Sequence, residues 1–104
     1  MGEAVSQTNE EFTIQKVNLI RSITRALALI HSMQEIGERE EWKIQEFIVY
    51  NIPRCPLLFQ ERQQFRNTLK NLSIGKLERK QAIDSLVSQK YRLTKMEPVL
   101  QGAQ

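Results

Sequence analysis

Two side chains in this chain carry the reactive groups most often used in catalysis, and each occurs once: His31 and Cys55. His31 lies in LIHSMQEIG, inside a long helical pattern. That context lacks the flanking groups that hold a phosphoryl group on a helical histidine. One histidine and one cysteine also fall short of the four ligands a structural zinc site takes. Cys55 sits between Pro53 and Pro56, and a thiol there needs a base beside it to act as a nucleophile. His31, the one histidine, belongs to another element. The acids Glu35, Glu38 and Glu41 gather around EREE, which reads as a solvated helix start. The sequence holds no glycine-rich phosphate loop and no Ser–His–Asp arrangement. A non-enzymatic protein is expected, with no catalytic residue, no metal and no cofactor.

The second group with chemical potential is basic. Residues 1–52 hold five Lys or Arg against eight Asp or Glu, and residues 53–104 hold ten against four, so a net −3 half is joined to a +6 half. Such asymmetry attracts nucleic acid or an acidic protein surface. In LKNLSIGKLERKQAIDSLV, residues 69–87, a helical run meets Gly75 and a second run follows. A DNA-reading helix there would offer Lys76, Arg79, Lys80 and Gln81, and arginine and glutamine suit guanine and adenine edges. The spacing argues for a structural corner instead. Asn71 stands where a helix-turn-helix wants a small residue, and Gln81 and Asp84 stand where it wants apolar ones. A nucleic-acid-binding regulator is the alternative reading.

The third group is aromatic. WKIQEFIVYNI, residues 42–52, is denser in large apolar residues than a short connecting helix needs. Tryptophan and tyrosine are frequent interface anchors. Trp42, Phe47 and Tyr50, with Arg62 and Arg66, form the expected partner-binding set. The preferred function is a small regulator or adaptor that binds another protein, an acidic one by its charge.

The elements that must position these groups are helical. Four glycines and three prolines in 104 residues are too few for a turn-rich sheet protein. From Phe12, the apolar positions Leu19, Ile23, Ala26, Ile30 and Met33 recur at three- and four-residue steps, which predicts a helix over 9–36 ended by Gly37. Such a rod measures about 42 Å. A compact chain of this length has a radius of gyration of about 13 Å. The expectation is therefore a homodimer in which a second copy covers the overhang.

Residues 38–52 fit a short helix at period 3.6 and a strand at period 2, and the helix is favoured. Pro53 and Pro56 impose an extended corner. A third helix then runs to about Leu72 with Leu58, Phe65, Leu69 and Leu72 inward. The fourth has Ala82, Ile83, Leu86, Val87 and Tyr91 as its inner face. The fold class is all-α: a long N-terminal helix, a short second helix and a C-terminal helical hairpin, with the bundle completed by homodimerisation. Residues 1–8 are expected to be disordered, 9–95 to form one domain, and 96–104 to be a flexible tail. The polar, acidic N-terminus is unlike a secretory signal, and ALALI at 26–30 is too short to span a bilayer. A cytoplasmic location is expected.

Overall fold

The computed structural model describes the backbone of residues 2–98 and the side chains of residues 9–98. Its described residues form four α-helices and one 3₁₀ turn: α1 (Gly2–His31), α2 (Glu38–Tyr50), a turn at Pro56–Leu58, α3 (Phe59–Ser73) and α4 (Arg79–Lys95). The expected domain edge near residue 9 adjoins a stretch, 1–8, whose side chains lie outside the described residues. Residues 99–104 of the expected tail also lie outside them.

Helix α1 is one unbroken rod and sets the long axis of a 53 × 22 × 19 Å particle. The radius of gyration is 15.5 Å, above the roughly 13 Å of a compact chain this long. Its apolar stripe is nonetheless covered by its own chain: Leu19, Ile23, Ala26 and Ile30 are fully buried. Nearer the start of the rod, Ile14 and Val17 are exposed.

Four cross-links fix the topology. Lys16 Nζ donates to the carbonyls of Thr94 and Met96, at 3.3 and 3.0 Å, and Arg79 Nε donates to Ile30 O at 3.2 Å. The start of α4 thus meets the end of α1, and the end of α4 meets the middle of α1, so the two run antiparallel. Gln89 Nε2 donates to Glu61 O at 2.6 Å, and Arg92 to Gln64 Oε1 at 3.0 Å, which ties α4 to α3 along their length. Helices α3 and α4 are therefore a side-by-side antiparallel hairpin. Gly75 closes α3 at φ +80°, a conformation that costs other L-residues energy.

Helix α1 stops at His31, not at Ile36. Arg79 occupies the last carbonyls of α1, those of Ile30 and His31, and the chain turns there toward α2. Met33 stays buried although it lies in the connection, so the apolar stripe outlasts the helix that began it. Gly37 is the N-cap of α2 and not the C-terminal cap of α1; its N–H donates to the Glu40 carboxylate at 3.2 Å. Helix α4 also turns differently from the sequence expectation. Ala82, Leu86, Gln89 and Leu93 face the core, while Val87 and Tyr91 are exposed. Gln89 lies on the buried line of Ala82, Leu86 and Leu93, where Glu61 offers it two acceptors, and Val87 and Tyr91 lie off that line.

Candidate partner-binding surface

Residues 38–50 are helical, and the helix decides which aromatics are presented. Extended Gly37 lets Glu38, Glu40 and Glu41 occupy the first turn, where carboxylates meet the positive end of the helix dipole. Ile44 and Phe47, three residues apart, both point into the core. At 100° per residue, positions 42, 46, 49 and 50 must then face outward. Trp42 is 68% exposed, Val49 69% and Tyr50 79%. Glu38, Arg39, Lys43 and Glu46 line an open depression with Trp42, so its ring is rimmed by both charges.

This platform is tied down at its far end. Ser22 Oγ on α1 donates to Asn51 O at 2.7 Å, and Asn51 N–H caps Phe47 O at 2.8 Å. Phe47 meets Phe65 of α3 edge-on, with centroids 6.3 Å apart and planes at 75°. Such a pair adds about 0.5–1.5 kcal/mol beyond area burial. Phe47 is thus a core residue and not a partner contact. Its place on the outer face belongs to Val49, seven residues on from Trp42 and readable from that spacing once the helix is fixed.

The basic candidates divide in the same way. Arg66, Lys76 and Lys80 are exposed. Arg62 Nε donates to Pro53 O at 2.9 Å and holds the proline corner against α3. Arg79 is half-buried on the last carbonyls of α1. Gln81 Oε1 accepts the Glu78 N–H at 3.0 Å and so completes the start of α4. Two of the four side chains proposed to meet nucleic acid are engaged in building the bundle.

Cys55 is buried at the corner, its thiol 3.7 Å from Pro53 O. Burial pushes that thiol above its ordinary pKa, and the Arg62 guanidinium pulls in the opposite direction more weakly. A protonated, enclosed thiol is a poor nucleophile. His31 is exposed at the end of α1. Among the described residues no group of three or more His, Cys, Asp or Glu could hold a metal ion. No described helix is long and apolar enough to cross a membrane. No protein-family model, curated protein or solved structure matches the chain.

Proposed function

We propose that this protein is a small non-enzymatic adaptor that binds another protein through the outer face of α2. The observation that carries the reading is the exposure of Trp42, Val49 and Tyr50 together on a short helix fixed from beneath by Ile44 and Phe47. Large aromatics presented on a rigid element lose little conformational entropy on docking, and residues of this type supply much of the energy in interfaces. Arg66 belongs to α3, on which α2 packs, and adds an exposed cation. The enclosed Cys55 thiol supports a role without covalent chemistry. A reducing compartment such as the cytoplasm suits a chain with one cysteine.

Homodimerisation, expected from the length of α1, is a separate matter from this proposal. Nucleic-acid binding through Lys76, Arg79, Lys80 and Gln81 is the less favoured reading, since Arg79 and Gln81 are spoken for.

The test is differential capture from a host extract, with wild type and a Trp42→Ala/Tyr50→Ser variant as baits. A protein held by wild type, lost by the variant and regained with Trp42→Phe alone supports the reading. Identical capture by folded wild type and folded variant contradicts it.

A further inference from the structure

A separate apolar surface runs along the seam between α1 and α4. On α4, Ile83, Val87 and Tyr91 follow Arg79 at four-residue steps and form one ridge. Arg79 reaches across to α1, so the ridge begins at the seam and winds outward from it. Ile83 is half-buried, Val87 is 51% exposed and Tyr91 61% exposed. Helix α1 supplies a matching line. Lys16 reaches across to the end of α4, Ile20 follows one turn later and is half-buried, and Val17 is exposed beside it.

The antiparallel register set by Lys16 and Arg79 places Val17 and Ile20 beside the Tyr91 end of the ridge. Thr24 and Ala28, both exposed and small, lie on the α1 side toward Val87 and Ile83. The seam is therefore bordered by an apolar strip on each helix.

Its charge selects the occupant. Lys80, Lys90 and Lys95 stand on α4 around the ridge, and Asp84 is the single acid of that helix. Lys95 Nζ lies 4.3 Å above the centre of the Tyr91 ring. A second copy laid on this face would bring lysines against lysines. A bare polyanion would satisfy the lysines and leave Ile83 and Val87 uncovered.

We propose that the α1/α4 seam binds an acidic amphipathic helix of another protein. Its apolar side lies over Ile83, Val87 and Tyr91, and its carboxylates lie toward Lys80, Lys90 and Lys95. An amphipathic helix offers such an apolar side as anchors at i, i+3, i+4 and i+7. The surface is independent of Trp42 and Tyr50, so the two proposals fail separately.

The probe is a fluorescent peptide of about 18 residues, long enough to hold helix, with leucine at those four spacings, glutamate flanking the leucine stripe and alanine at most other positions. Anisotropy titration against the full chain at ~0.15 M salt should show saturable binding. Val87→Asp and the Lys80→Glu/Lys90→Glu pair should each weaken it at least about tenfold, while Trp42→Ala leaves it unchanged. Tyr91→Ser gives the same reading should Val87→Asp fail to fold. Absence of binding overturns the proposal, as does equal binding of the peptide with lysine in place of glutamate. It is also overturned if duplex DNA displaces the peptide. A dimeric mass in light scattering that Val87→Asp reduces to one chain would give the seam to a second copy and likewise end the proposal.

Discussion

Arg79, the first residue of α4, donates its Nε–H to the carbonyl of Ile30 at 3.2 Å, in the last turn of α1. Its Nη2 reaches His31 O at 3.4 Å. At the opposite end of the same pair, Lys16 of α1 gives its ammonium to the carbonyls of Thr94 and Met96. Each helix lends a cation to the other's C-terminus, where carbonyls lack intrahelical partners and the dipole is negative. Arg79→Ala should lower stability in urea unfolding by about 1–2 kcal/mol. Arg79→Lys should recover part of that, because an ammonium cannot reproduce the two-donor fork. The effect of Lys16→Ala should add to that of Arg79→Ala, since the two sites share no partner.

Gln89 is fully buried, and its Nε2 donates to Glu61 O at 2.6 Å and to the Glu61 carboxylate at 3.1 Å. Its Oε1 meets no donor. A buried acceptor left unmet costs about 1–3 kcal/mol. Gln89→Leu keeps a similar volume but removes the two bonds donated to Glu61 along with the unmet acceptor, so the urea midpoint should fall by an amount equivalent to about 1 kcal/mol. A rise in the midpoint would show that the unmet Oε1 outweighs both donated bonds.

Gly75 takes φ +80°, and a Cβ built there would meet nothing within 4 Å. The cost of a side chain is therefore conformational and not steric crowding. Gly75→Ala should destabilise by about 1–2 kcal/mol, and Gly75→Asn by less, because asparagine tolerates this region. Thermal unfolding of the three proteins checks the order.

Cys55 gives a signed pH dependence. Its thiol is pushed above its ordinary value of 9.0 by burial, against the weaker pull of Arg62. The unfolded chain therefore loses this proton at a lower pH than the folded chain does. The associated stability is complete below pH 9.0 and is lost as pH rises beyond it. In urea titrations above that pH, wild type should lose stability faster than Cys55→Ala. Parallel decline of the two would contradict the assignment.

The parts of this fold legible in the sequence are those set by nearest neighbours on a helix. Leu19, Ile23, Ala26 and Ile30 repeat at the helical period and are the buried face. Pro56 opens the turn that leads into α3, and Gly75 takes the left-handed position that ends it. What stayed hidden depends on distant residues. The apolar stripe of α1 runs on through Met33, so only Arg79, 48 residues after His31, reveals where the helix stops. Apolar type favours Val87 for the inside of α4, whereas the buried line of Ala82, Leu86 and Leu93 passes through polar Gln89, whose acceptor on Glu61 lies in another helix. Phe47 and Trp42 carry the same apolar promise, and only their angles relative to Ile44 send one to the core and the other to solvent.

Trp42 is the only tryptophan, so its fluorescence reports the α2 face without labelling. Acrylamide quenching of the folded chain tests most directly whether that face is open to a partner. An open α2 face gives a water-like emission maximum and a quenching constant close to that of the urea-unfolded chain. A blue-shifted emission protected from acrylamide would mean that Trp42 is covered in the free protein, by its own core or by a second copy, and would contradict it.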